Sequence, residues 1–154
     1  MSQTHLFQQQ FETYSTEVFG ASPQELRRSL EKADDRAIAV LVKTSTADWA
    51  DQFSALTGLT KKEVYPILGI SQATVSRSRG SNAKPSLDVV DRAFQGIELF
   101  ARTAALLDRE QVSAWLSTPK QHLDGQAPYQ LLQTATGRER LKRYLESLEA
   151  VTYG

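Results

Sequence analysis

Apolar residues recur every three or four positions through most of this chain, and nowhere do they alternate with polar residues as they would along a strand. The longest stripe runs through Val90, Phe94 and Ile97, and it predicts a helix over residues 86–107. Shorter stripes of the same kind lie on both sides of it. The fold class expected is therefore all-α.

The N-terminal region divides into two parts. The first 21 residues show no sustained period, because three consecutive glutamines interrupt a scatter of aromatic side chains, and they are expected to form a partly ordered arm. Ser22, Pro23 and Glu25 then supply a helix start, with a capping serine, a proline in the first turn and an acid three residues on. One continuous helix is predicted over residues 23–43.

The composition narrows the class of protein. The 154 residues suffice for one compact domain, or for two small domains that share a core. There is no cysteine, and two histidines do not make a convincing metal site, so no metal or cofactor is expected. No secretory signal is visible, and no stretch approaches the roughly 20 apolar residues that cross a membrane. A soluble cytoplasmic protein is expected.

The charge is unevenly distributed along the chain. Residues 1–59 hold five basic and eight acidic residues, a net charge of −3. Residues 60–105 hold seven basic and four acidic residues, a net charge of +3. Residues 106–154 hold six of each, a net charge of zero. A local basic face, and not the total charge, is what meets a phosphate backbone. The middle third is therefore the candidate for nucleic-acid contact.

Two short helices with a tight turn between them are predicted inside this basic third. Thr60 and Glu63 match a capping box at the start of the first helix. Gly69 suits the left-handed cap that ends it, since glycine adopts a positive φ without steric cost. Ser71 caps the second helix, and Val75 is expected to lock it against the first. This order is typical of a helix-turn-helix, whose second helix enters the major groove of DNA.

The second helix leaves polar side chains free for recognition. Arginine pairs with guanine, glutamine pairs with adenine, and small apolar groups contact the thymine methyl. Arg77 is expected to be the main base or phosphate contact, with Arg79 in support. The DNA-binding candidates are Ser71, Gln72, Ala73, Thr74, Ser76, Arg77, Arg79 and Lys84. The alternative is an ordinary helical corner with a polar exterior.

A second pattern of motifs fills the C-terminal third, from Val112 to Gly154. It consists of Trp115–Leu116, Pro119, Leu123, Gly125, Pro128, Leu131–Leu132, Thr134, Gly137 and a final helix that ends in Tyr153–Gly154. In these motifs the chain resembles the Xre/MbcA/ParS-like antitoxins. With the preceding GLTKKEVYPILGISQATVSR the resemblance covers about residues 45–154.

This resemblance implies an antitoxin of a type II toxin–antitoxin module. Such a protein binds and neutralises a cognate RES-domain toxin that degrades NAD, and it represses its own operon by binding the operator DNA. The implied toxin-binding residues are Arg138, Lys142, Val151, Thr152, Tyr153 and Gly154. Tyr153 and Gly154 are expected to plug the toxin's active site, with the terminal carboxylate as an anion mimic.

The domain organisation that goes with this hypothesis has three parts. Residues 1–44 form an N-terminal arm and helix, residues 45–107 the helix-turn-helix region, and residues 108–154 the toxin-binding domain. A homodimer is expected, because one helix-turn-helix reads only a few base pairs. The helix predicted over 86–107 carries more apolar surface than one stripe needs, because it also holds Val89, Leu99 and Phe100. This additional surface is expected to supply part of the dimer contact.

Two other classes of function compete with the antitoxin. A helix-turn-helix transcription regulator whose C-terminal domain binds some other partner stays open as the alternative. An enzyme is not expected, because the sequence holds no Ser/His/Asp grouping, no Gly-rich phosphate loop and no His/Cys cluster.

Overall fold

The computed structural model describes residues 3–42, 45–81 and 84–153, and within these ranges all regular secondary structure is helical. The helices are α1 (Gln3–Phe19), α2 (Pro23–Glu31), α3 (Asp35–Leu41), α4 (Thr46–Thr57), α5 (Lys61–Leu68), α6 (Gln72–Ser81), α7 (Leu87–Leu106), α8 (Arg109–Ser117), α9 (Pro128–Leu131) and α10 (Ala135–Tyr153). A 3₁₀ turn, Gln121–Leu123, separates α8 from α9. The predicted all-α class is confirmed. No helix in the described ranges has the length and apolarity to span a membrane.

Helix α7 lies at the centre of the fold, in contact with α1, α2, α5, α8 and α10. Val90, Ala93, Ile97 and Ala101 are completely buried along it. Its neighbours approach closely because α7 carries small residues; a Cβ on Gly96 would come within 3.0 Å of the Phe53 ring. The long helix predicted over 86–107 is therefore confirmed, and it belongs to the core.

The prediction of a partly ordered N-terminal arm is wrong. Residues 3–19 form α1, which packs along α7. Phe11, Tyr14 and Val18 are buried on one side of it, while the exposed glutamines lie on the other. The rings of Phe11 and Phe94 lie 5.4 Å apart, and an edge-on contact joins Tyr14 to α7. The helical spacing of the aromatic residues, and not the glutamine run, determines the conformation of residues 3–19.

The single helix predicted over residues 23–43 is also wrong, because two helices occupy this region. α2 ends at Glu31 and α3 begins at Asp35. Ala33 takes a left-handed φ of 49° between them, and the side chain of Asp34 accepts a hydrogen bond of 3.0 Å from the Ala37 amide. An aspartate favours such a cap over a helix interior, which explains the break. Residues 43 and 44 lie outside the described ranges.

The expected dimer contact along α7 is contradicted. Val89, Leu99 and Phe100 are at most 6% exposed, because other helices of the same chain cover them. The ring of Tyr14, on α1, lies 5.1 Å from that of Phe100. Phe100 is therefore covered by α1, while Leu99 lines a cavity beside Ala135 and Arg138 of α10.

Candidate functional site

The turn between α5 and α6 has the cap geometry that its sequence predicts. The Thr60 side chain accepts from the Glu63 amide at 3.1 Å, and the Glu63 carboxylate accepts from the Thr60 amide at 2.9 Å. Gly69 has a φ of 70° and ends α5. Ser71 Oγ accepts a hydrogen bond of 3.1 Å from the Thr74 amide at the start of α6. Three residues thus join two capped helices.

Both helices rest on α4. Val64 and Leu68 of α5 are completely buried, and Val75 of α6 is 3% exposed. Ser78 is also buried, and its Oγ accepts a hydrogen bond of 3.2 Å from the Ala47 amide in the first turn of α4. This serine is not among the predicted functional residues, although its position three residues after Val75 places it on the inner side of α6.

The outer side of α6 presents most of the predicted DNA-binding residues together. Gln72, Ala73, Ser76 and Arg77 are exposed and share one face at helical spacing. Ser71 precedes them, exposed at the helix N-terminus, where backbone amides and the helix dipole favour an anion. The remaining candidates, Thr74, Arg79 and Lys84, are already occupied by contacts within the chain.

The two arginines of α6 have different surroundings. Arg79 contacts both carboxylate oxygens of Asp51, at 3.2 and 3.3 Å, and Lys61 contacts the same carboxylate at 3.0 Å. Arg77 forms no ion pair within 4.0 Å in the described part of the chain, and it is exposed. Partial burial alone would raise the pKa of Asp51, but hydrogen bonds from Lys61 and Arg79 outweigh it and lower that pKa.

Thr74 and Lys84 contribute mainly to the fold. The Thr74 hydroxyl shares a 3.0 Å hydrogen bond with that of Ser71. Lys84 Nζ donates a hydrogen bond of 2.7 Å to the backbone carbonyl of Val42 at the end of α3. The segment after α6 is thereby fixed to α3, a long-range contact that the sequence did not reveal.

A second surface lies where the ends of α7 and α10 meet α8. The rings of Trp115 and Tyr144 stack there, 6.3 Å apart and at 12° to each other. Together with Leu106, Leu107 and Leu148 they line a groove of about 280 Å³ that ends at Thr152. Trp115 is only half-buried and forms one wall of this groove. Beside the groove, Val151 is 87% exposed.

Arg138, one of the implied toxin-binding residues, does not lie on the exposed surface. It is 7% exposed, and it donates hydrogen bonds to Gln95 Oε1 at 2.7 Å and to the Leu132 carbonyl at 2.9 Å. Burial lowers the pKa of Arg138, and the charge of Arg92 adds to this effect. Arg138 therefore connects α10 to α7 and to the end of α9.

The other toxin-binding candidates separate in space. Lys142 borders a polar cavity of about 290 Å³ that Glu98 and Arg138 also line. Thr152 borders the apolar groove. Tyr153 is the last residue of α10, so the helix extends to the end of the chain that the structure describes, and Gly154 lies beyond that range. The structure does not bring Lys142 together with Val151 and Thr152.

These features define an all-α protein with two separate candidate surfaces, a polar face on α6 and an apolar groove on the C-terminal helices. Residues 95–150 match the family model of the antitoxin Xre/MbcA/ParS C-terminal toxin-binding domain. The resemblance to the Xre/MbcA/ParS-like antitoxins seen in the sequence is therefore confirmed for this part of the chain. The match begins inside α7 and contains most of the groove. No curated protein matches the chain.

Proposed function

We propose that this antitoxin binds and neutralises a RES-type toxin that degrades NAD, and that it represses its own operon by binding operator DNA as a homodimer. The match to a toxin-binding domain over residues 95–150 carries the first half of the proposal. The exposed polar face of a capped helix supports the second. The two activities are assigned to separate surfaces.

The toxin contact is assigned to the apolar groove and the adjoining end of α10. Trp115 and Leu148 offer an apolar wall, and Val151 adds an apolar side chain that water surrounds in the free protein. Burying such a valine in a complex is worth about 1.5–3 kcal/mol. Thr152, which also borders the groove, extends this contact toward the toxin's active site.

The DNA contact is assigned to the N-terminus and outer face of α6. The N-terminus of α6 at Ser71 binds a phosphate, and Gln72, Ala73 and Ser76 face the base edges. Arg77 is the main contact because no carboxylate of the described chain holds it. Arg79 assists, after giving up part of its contact with Asp51.

One pair of variants tests both halves at once. Val151→Asp places a charge in the toxin contact, so it should relieve the suppression of NAD degradation and leave operator binding unchanged. Arg77→Ala should do the reverse, with operator affinity reduced about 5- to 150-fold for a lost contact of ~1–3 kcal/mol. Each variant is the control for the other, and circular dichroism verifies that both fold.

The outcomes separate the antitoxin from the remaining alternative. If wild-type protein binds the operator but neither binds the RES toxin nor suppresses NAD loss, the protein is a transcription regulator with another partner. If Arg77→Ala and wild type bind the operator equally at fixed salt, the face of α6 is not the DNA contact.

A further inference from the structure

Helix α3 is covered on one side only. Among the described elements it packs principally against α2, and the side chain of Val40 is 73% exposed. Ala37, Val40 and Leu41 line a shallow depression of about 560 Å³ between the two helices. Val40 and Val151 are the large hydrophobic residues left exposed in the described chain, and they lie on different parts of the fold.

The rim of this depression carries both signs of charge. Glu25 and Asp34 provide carboxylates, and Arg28 and Arg36 provide guanidinium groups. No ion pair within 4.0 Å joins any of the four to another described residue. In a two-fold interface the same patch meets itself, so an apolar centre with a mixed-charge rim is complementary to its own copy. A rim of one sign would repel its copy.

We propose that the α2–α3 face, defined by Glu25, Arg28, Arg36, Ala37, Val40 and Leu41, binds the same face of a second copy of this chain. Val40 lies at the centre of the contact, and each acidic group of the rim faces a basic group of the other copy. This inference rests on the homodimer of the proposed function. It assigns the dimer contact to α2 and α3 in place of α7.

The position of α3 connects this face to the DNA-binding helix. The carbonyl of Val42, at the end of α3, accepts the hydrogen bond from Lys84, which follows α6 after a short segment. On the other side, Ser78 of α6 caps the first turn of α4, which follows α3. In a dimer formed through α3, these two hydrogen bonds would fix each α6 helix relative to the dimer interface.

Light scattering on the full chain tests the proposal. Wild-type protein should have the mass of a dimer at micromolar concentration, and Val40→Glu should have the mass of a monomer with an unchanged circular dichroism spectrum. Val151→Glu, the matched control on the other exposed valine, should remain a dimer. Raising the salt concentration should weaken the wild-type dimer, because the rim charges then attract less.

Cross-linking supplies a second measurement that does not depend on disrupting the contact. The chain has no cysteine, so Val40→Cys introduces one unique thiol at the centre of the proposed contact. A short bis-maleimide should join two Val40→Cys chains and leave Val151→Cys chains single. A dimeric Val40→Glu, or equal cross-linking at both sites, would overturn the α2–α3 interface alone. A monomeric wild type would overturn the homodimer as well.

Discussion

Replacing Phe11 by alanine measures how firmly α1 belongs to the core. The Phe11 side chain is 5% exposed, and its ring lies 5.4 Å from that of Phe94 and 5.6 Å from that of Phe7. Removal of a buried phenylalanine side chain leaves a cavity and costs about 3–5 kcal/mol. For a chain of this size each kcal/mol shifts the melting temperature by roughly 2–4 °C. Phe11→Ala should therefore melt about 6–20 °C lower.

Urea denaturation followed by circular dichroism gives the free energy of unfolding directly. The matched control is Gln9→Ala, because Gln9 lies on the exposed side of the same helix and its replacement should change stability by no more than about 0.5 kcal/mol. A frayed arm would make the two variants equal. If Phe11→Ala also costs under about 0.5 kcal/mol, the packing of α1 on α7 described above is refuted.

Three further substitutions test contacts elsewhere in the fold. Gly58→Ala should destabilise the protein in urea, because Gly58 has a φ of 76° and its new Cβ would overlap Ser113 on α8. Arg138→Leu should cost about 1–3 kcal/mol in the same assay, since the buried carbonyl of Leu132 loses its donor. The pKa of Asp51 should lie below 3.8 in a carboxyl NMR titration. Because folding lowers the pKa of Asp51, its carboxylate stabilises the protein at pH values above the ordinary aspartate pKa of 3.8. This stabilisation is lost as the pH falls through the folded pKa, and Asp51→Asn should remove that pH dependence.

Helix ends governed by local contacts could be predicted from the sequence. The capping box at Thr60 and Glu63, the left-handed Gly69 and the cap at Ser71 each join groups within a few residues of one another. A short motif contains all the information such a contact needs. The turn before α6 was predictable for this reason, and so was the long stripe of α7, whose period repeats over five turns.

Contacts between distant residues could not be predicted in the same way. Arg77 and Arg79 have the same local sequence pattern, yet Arg79 alone meets Asp51, which lies 28 residues earlier. Arg138 occurs in a run of charges typical of a solvated face, but it reaches Gln95 on α7 across a separation of 43 residues. In α1 the periodic signal was present, with Phe11, Tyr14 and Val18 on one side, and the glutamine run obscured it.

The central position of α7 has a consequence for how the protein responds to its ligands. The family match begins at residue 95, halfway along this helix, and the buried residues from Phe11 to Leu145 form one core cluster. A ligand bound in the groove beside α10 therefore also opposes the unfolding of α4 and α5, because Trp49, Phe53 and Val64 belong to the same core cluster. At a free concentration of 100 times Kd, such a ligand adds about 2.7 kcal/mol to the stability of everything that unfolds with its site. Amide hydrogen exchange in α4 and α5 would then report whether a ligand occupies the groove, although neither helix lines it.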